Sequence, residues 1–130
     1  MGDRGNITIR QWNSEDRVYL YTHWGGSEIG STLQNALKRQ WRWSDPAYLA
    51  RIIFDEMTGD DHGQEGGFGI ATSAPDNEHL VLDVDCQTQT VNVRNLSDKA
   101  GLLGPVEHWS FRDFIRLGDI DEIIAKLEND

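Results

Sequence analysis

Apolar and polar residues alternate from Asn6 to Trp12 (NITIRQW), with Ile7 and Ile9 on one side and Thr8, Arg10 and Trp12 on the other. A period of two predicts a half-buried strand. After the polar turn Asn13-Ser14-Glu15-Asp16 the alternation resumes over Arg17–Trp24. Val18, Leu20, Thr22 and Trp24 share one face there, and Tyr19, Tyr21 and His23 the other. The two runs are expected to form an antiparallel hairpin. Beyond Gly25-Gly26 the period changes. Ile29, Leu33, Ala36 and Leu37 recur at helical spacing, so a helix is predicted from Ser27 or Glu28 to about Gln40. Gly30 weakens its first turn by about 1 kcal/mol relative to alanine. Close packing or a ligand near the backbone would explain it, and simple tolerance is the expectation.

The start of a second helix is the best marked in the chain. Ser44 or Asp45 can cap it and Pro46 suits the first helical position, where its missing N–H costs nothing. Leu49, Ala50, Ile53, Phe54 and Met57 form its apolar face. Arg51 and Asp55 lie one turn apart and can pair. Gly59–Gly67 reads as an acidic loop, Phe68–Thr72 as a short strand, and Ser73–Glu78 as another loop. His79–Asp85 and Gln89–Arg94 form a second hairpin, with Leu80, Leu82 and Val84 opposite Val91 and Val93. Asn95–Pro105 reads as a glycine-containing loop. Two short helices follow, opened by the capping patterns Ser110/Asp113 and Asp119/Glu122. Ile120, Ile123, Ile124 and Leu127 give the last one its apolar side. The order ββ-αα-βββ-αα predicts one α+β domain over residues 1–130, an antiparallel sheet of about five strands covered by helices.

Composition narrows the function classes. At 130 residues the chain can bury a core without disulfides or metal. It has no apolar run of membrane-spanning length and no apolar stretch near its N-terminus. Its single cysteine, Cys86, fits a reducing compartment, and a cytoplasmic location is expected. The net charge is −10, unevenly spread. Residues 1–60 carry seven basic against eight acidic residues, and residues 61–130 five against fourteen. That balance repels phosphate backbones and argues against general nucleic-acid binding. Arg39, Arg42 and Arg51 leave room for a local basic site.

Catalytic signatures are absent. Asp60-Asp61-His62-Gly63-Gln64-Glu65 offers metal-ligand types, but at no spacing of a known loop or helix site, and neither a metal nor a cofactor is implied. Cys86 sits at a hairpin turn beside Asp85, which raises a thiol pKa and does not activate it. Gly66-Gly67-Phe68-Gly69 lacks the lysine and helix start of a phosphate-binding loop. Asp76, Asp83, Asp85 and His23 could serve as acids or bases, though Asp83 on an alternating strand is expected on the solvent face. More informative are the aromatic and arginine residues. Tyr19, Tyr21 and His23 share a strand face, and Trp41-Arg42-Trp43 lies between the helices. Stacking faces with a guanidinium are what a pocket for a planar anion requires. Tyr21, His23, Arg42 and Trp43 are therefore the candidate ligand-binding residues, whereas Trp24 and Tyr48 are expected to pack the sheet against the helices.

The segments MGDRGNI, VYLYTHWGG (18–26), RWSDPAYLARIIFDEM (42–57), GFGI (67–70) and Asp76-Asn77 with the strand up to Asp85 resemble a family of small phage, prophage and prokaryotic proteins. The likeness covers roughly residues 1–94 and brings no activity with it. It implies an accessory protein of a mobile element, of a kind that counteracts host defence by binding. Three functions follow as expectations. The first is a non-enzymatic protein capturing a small, planar, nucleotide-like anion. The second is an acidic interaction module that inhibits a host protein. The third is a small nucleotide hydrolase. A homo-oligomer is compatible with any of them.

Overall fold

A computed structural model describes residues 2–61, 63, 66–74, 76–97 and 101–129. The chain is α+β, and its described residues form a six-stranded mixed sheet and four α-helices. In chain order these are β1 (Gly5–Arg10), β2 (Arg17–Thr22), α1 (Ile29–Lys38), α2 (Pro46–Thr58), β3 (Phe68–Ala71), β4 (Val81–Asp85), β5 (Thr90–Leu96), β6 (Leu102–Ser110), α3 (Phe111–Phe114) and α4 (Ile120–Glu128). The strands lie in the order β3-β2-β1-β4-β5-β6. The expected purely antiparallel sheet is corrected in one place: β1 and β4 run parallel, Ile7 beside Leu82 and Ile9 beside Val84.

Both expected hairpins form in the register that the apolar pattern demands. Ile7 faces Leu20 and Ile9 faces Val18, while Leu82 faces Val93 and Val84 faces Val91. A slip of one residue would turn every one of these side chains away from the core. The helices cover this face alone. Leu33 and Leu37 of α1, Leu49 and Ile53 of α2, Phe111 and Phe114 of α3, and Ile120 and Ile124 of α4 join the strand residues in one core.

Three expectations about the helices change. The first helix begins with a 3-10 turn, Gly26–Glu28, and α1 proper ends at Lys38. It has no side-chain cap of its own. Asp121 of α4 supplies one, accepting from Ser31 N at 2.8 Å and Ser31 Oγ at 2.7 Å. Gly30 lies under that crossing, where a Cβ would come within 2.7 Å of both Asp121 Oδ1 and Ile124 Cδ1. Close packing, not tolerance, explains the glycine. Asp119 has a left-handed backbone and makes no capping bond, whereas Ser110 and Asp45 cap α3 and α2 as expected.

The sixth strand replaces part of the loop expected over 95–105, of which residues 98–100 lie outside the described set. Its sequence, LLGPVEHWS, does not alternate, and most of its residues are exposed. It is held by backbone pairing to β5 through two register shifts, which hydrophobic patterning cannot reveal.

The face without helices is also largely closed. Thr8, Asn6 and Asp83 are buried there, contrary to the expectation of a solvated Asp83. The Asp83 carboxylate accepts from Thr8 Oγ1 (2.7 Å), from Arg17 Nε and Nη2 (2.8 and 2.9 Å) and from Arg94 Nε (2.8 Å). Four donors satisfy a charge that would otherwise be very costly to bury.

The core assignment has a direct test. Leu82 is fully buried, so Leu82→Asp places an unpaired carboxylate among apolar side chains. It is expected to cost about 4 kcal/mol or more, comparable with the whole stability of a small domain. Circular dichroism should then show no cooperative thermal transition. A variant melting like the parent would refute this strand's orientation.

Candidate functional site

Trp41 to Asp45 link α1 and α2, and the local backbone decides what they present. Gln40 follows the last turn of α1 in a left-handed conformation (φ 57°), the usual way a helix stops, although glycine is the common residue there. Arg42 repeats the conformation at φ 60°, at a cost of order 1 kcal/mol for a residue with a Cβ. The consequence is a corner whose successive side chains diverge. Trp43 turns inward. Its Nε1 donates to the Leu37 carbonyl at 3.1 Å, one of the carbonyls that a helix end leaves open, and its ring meets Phe111 edge-on at 5.4 Å. Arg42 turns outward, its guanidinium 4.4 Å from the centre of the Tyr48 ring.

Two more aromatic residues flank the same link. Trp12, just past β1, donates from Nε1 to the Ser44 carbonyl at 3.0 Å. Trp41 lies under Arg39, whose guanidinium carbon is 5.8 Å from the ring centre. Trp12, Trp41 and Tyr48 are 44%, 59% and 49% exposed. These three were absent from the candidate set. A sequence signal for Tyr48 existed: on α2 it lies off the stripe formed by Leu49, Ile52 and Ile53.

Tyr21 and His23 are elsewhere. Tyr21 Oη and His23 Nδ1 are 2.8 Å apart, and the His23 ring meets Trp24 edge-on at 4.2 Å. They lie at the end of β2 beside the start of α1, whereas Arg42 and Trp43 follow its end, a separation of about 15 Å along a ten-residue helix. Tyr21 pairs within the candidate set only with His23, and the four residues do not converge. The packing expectation for the other aromatics is also reversed. Trp24 is 62% exposed and Tyr48 half exposed, while Trp43 packs on the core.

Charge distribution separates the arginines. Arg4, Arg10, Arg17, Arg39 and Arg94 all bind carboxylates. Arg39 takes both Asp55 (3.2 Å) and Glu56 (2.7 Å), which corrects the expected Arg51–Asp55 pair. Among the described residues Arg42, Arg51, Arg112 and Arg116 have no carboxylate partner. A cleft of about 540 Å³ on the helix-free face is lined by Arg17, Tyr19, Thr72, Gly101 and Leu102. Another of about 350 Å³ beside the end of α2 is lined by Arg51, Phe54, Asp55, Thr58, Asp61 and Phe68. Tyr21, His23, Arg42 and Trp43 line neither.

The remaining candidates are quickly placed. Burial, with the charges of Asp85 and Asp45, pushes the Cys86 thiol up to about 12, far from a thiolate at neutral pH. Among the described residues no group of three or more His, Cys, Asp or Glu side chains could hold a metal ion; His62, Gln64 and Glu65 of the acidic loop lie outside that set. No described helix is long and apolar enough to cross a membrane. No family model matches the chain, and neither a curated protein nor a solved structure matches it.

One charged cluster escaped the sequence altogether, because its members are far apart along the chain. His79 Nε2 lies 2.5 Å from Asp3 Oδ1, and Nδ1 lies 2.9 Å from Glu128 Oε2. Asp3 also accepts from Ser27 N and Oγ, and Glu128 from Leu80 N. The imidazole thus clasps the N-terminal segment to the end of α4. The 3-10 turn passes so close that a Cβ on Gly26 would sit 2.5 Å from His79 Cδ2. Burial alone would lower the His79 pKa, but the hydrogen bond to Asp3 and the charge and hydrogen bond of Glu128 outweigh it and raise it above 6.5.

A folded-state pKa above the unfolded value means that the clasp stabilises fully below about pH 6.5 and is lost as pH rises through the folded pKa. The melting temperature of the parent is therefore expected to fall on going from pH 6 into the alkaline range by more than that of His79→Gln. Parallel pH profiles for the two proteins would show that the clasp carries no linkage.

Proposed function

We propose that this chain is a non-enzymatic binding module. Its recognition surface is the α1–α2 corner formed by Trp12, Trp41, Arg42 and Tyr48, and its target is another protein. One observation carries the reading. Arg42 is held in a left-handed backbone with its guanidinium stacked on Tyr48 and no carboxylate to occupy it. The left-handed backbone turns Trp43 onto the core, but the outward Arg42 side chain is met by the Tyr48 ring, and sparsely populated backbone conformations concentrate at functional positions. Tryptophan, tyrosine and arginine are also the residue types that dominate binding energy at protein interfaces. The resemblance to phage and prophage proteins supplies a setting, in which the target is a host protein and the effect is to counter host defence.

The same unpaired guanidinium favours a second reading, capture of a small planar anion such as a nucleotide. In that reading Trp41 and Tyr48 supply the stacking faces, in place of Tyr21 and His23. The hydrolase reading has less support. Asp83 is occupied by two arginines, and His79 is occupied by Asp3 and Glu128.

Affinity capture from host-cell extract separates these readings. The parent, a Trp41→Ser/Arg42→Ser double variant and a Trp24→Ser control from the far end of the molecule are compared. A specific partner is expected with the parent and the control and lost with the double variant, all three melting alike. Retention of the partner by the double variant would overturn the surface. A nucleotide that raises the melting temperature only when Arg42 is present would transfer the conclusion to the small anion.

A further inference from the structure

We propose that the free edge of β3 takes up an extended, basic segment of a partner protein as a further strand, at a surface separate from the α1–α2 corner. In the ladder with β2, His23 N donates to Gly67 O at 2.7 Å. The alternation of an antiparallel ladder then turns the backbone groups of Gly69 and Ala71 toward β2 as well, and those of Phe68 and Ile70 toward the free side. Among the described residues no group bonds to these outward N–H and C=O groups. The side chains leave the edge just as open. Ile70 is 62% exposed, and no residue from Gly66 to Ala74 carries a charge.

The other edge of the sheet is built differently. β6 contains Pro105, which lacks an N–H, and pairs with β5 through two register shifts. Proline and bulges are devices that keep an edge strand from recruiting another chain. β3 has neither. Its shortness limits what backbone pairing alone can hold, so side chains have to add to it, and a cleft for them lies alongside. Phe68 and Ile70 share the helix-covered face with their β2 partners, Thr22 and Leu20. On that face a side chain of an added strand meets the cleft of about 350 Å³ between α2 and the start of β3, whose apolar walls are Phe54 and Phe68. Strand addition works in this way: backbone bonds hold the segment, and pockets for alternate side chains select it.

Charge decides the occupant. Phe68 also lines a cleft of about 230 Å³ whose ionisable side chains are Glu28 and Asp61, with Trp24 beside them and no cation. Among the described residues neither carboxylate is in an ion pair. Past the other end of β3, Thr72 shares a cleft with Asp16, likewise unpaired, and with Glu15 and Arg17, which pair with each other. Against these three carboxylates stands Arg51, unpaired in the larger cleft beside Asp61 and beside Asp55, which Arg39 holds. The balance along the edge is negative, on a chain of net charge −10. A second copy would bring the same charge to the same edge, whereas a segment with lysine or arginine brings the opposite one.

The experiment uses the full chain and fluorescence anisotropy with three labelled peptides. One alternates lysine with valine, one is its glutamate-for-lysine counterpart, and one is the lysine–valine peptide N-methylated throughout, which keeps the charge and has no backbone donor. The first is expected to bind, the second not, and the third at least about tenfold more weakly than the first. Ile70→Pro deletes one outward N–H and should abolish binding, and Glu28→Gln/Asp61→Asn should weaken it several-fold. Trp41→Ser/Arg42→Ser should bind the peptide like the parent, so that this edge and the corner stand or fall separately. No binding of the lysine–valine peptide, or equal binding of its N-methylated form, would overturn strand addition, whether or not Ile70→Pro folds. Binding of the glutamate peptide, or no effect of Glu28→Gln/Asp61→Asn, would overturn the basic chemistry. Loss of binding in Trp41→Ser/Arg42→Ser would move the peptide to the corner and overturn the edge. A parent dimer in sedimentation that Ile70→Pro renders monomeric would overturn the basic segment and assign the edge to a second copy.

Discussion

The sheet depends on one buried carboxylate. Asp83 draws donors from β1 (Thr8), β2 (Arg17) and β5 (Arg94) onto β4, so four strands meet at a single charge on the face that no helix covers. Removing a charge from water costs several kcal/mol, and only near-complete pairing offsets it. That makes Asp83 a poor source of net stability and a strong selector of register. Any slip between these strands would leave the carboxylate or a guanidinium buried without its partner. The apolar face imposes the same register through Ile7, Leu20, Leu82 and Val93, and the two constraints agree.

With the register fixed, the ends of the sheet acquire distinct roles. At one end the Asp3–His79–Glu128 clasp ties the start of the chain to α4, which itself caps α1 through Asp121. That end is closed by charge pairs. At the other end the β1–β2 turn and the α1–α2 link meet, and Trp12 bonds to Ser44 across them. Here the aromatic rings are exposed and the Arg42 guanidinium lies over one of them, that of Tyr48. The arginines thus divide: Arg4, Arg10, Arg17, Arg39 and Arg94 neutralise carboxylates within an acidic chain, whereas Arg42 stacks on the Tyr48 ring.

Much of this was legible in the sequence. Period-two alternation located four strands and their buried faces, and Asp45-Pro46 marked the start of α2 within a residue. These signals are local, and local signals survive without coordinates. The sixth strand was missed because backbone pairing to β5 holds it, with no alternating apolar face to advertise it and with Gly101, Gly104 and Pro105 reading as loop. Asp83 was placed in solvent because alternation shows which face a residue is on and not what covers that face; its cover comes from Arg17 and Arg94, each distant from it in sequence. The candidate site was half legible. Arg42 was singled out by its place in a polar link, but Trp43 and Tyr48 exchanged roles. Which of two neighbouring aromatics turns inward was decided by a left-handed residue at Arg42, and no composition rule signals that.

Arg17 is spent on the fold, held by the buried Asp83, and Arg42, exposed and stacked on Tyr48, is the residue proposed to meet a partner. Urea unfolding of Arg17→Ala and Arg42→Ala measures both halves at once. Arg17→Ala strips donors from a buried carboxylate and should lower stability by about 3 kcal/mol or more. Arg42→Ala removes an exposed side chain and should leave it within about 0.5 kcal/mol of the parent. A large loss with Arg42→Ala would make that residue a structural tie and contradict the account, as would an Arg17→Ala variant as stable as the parent.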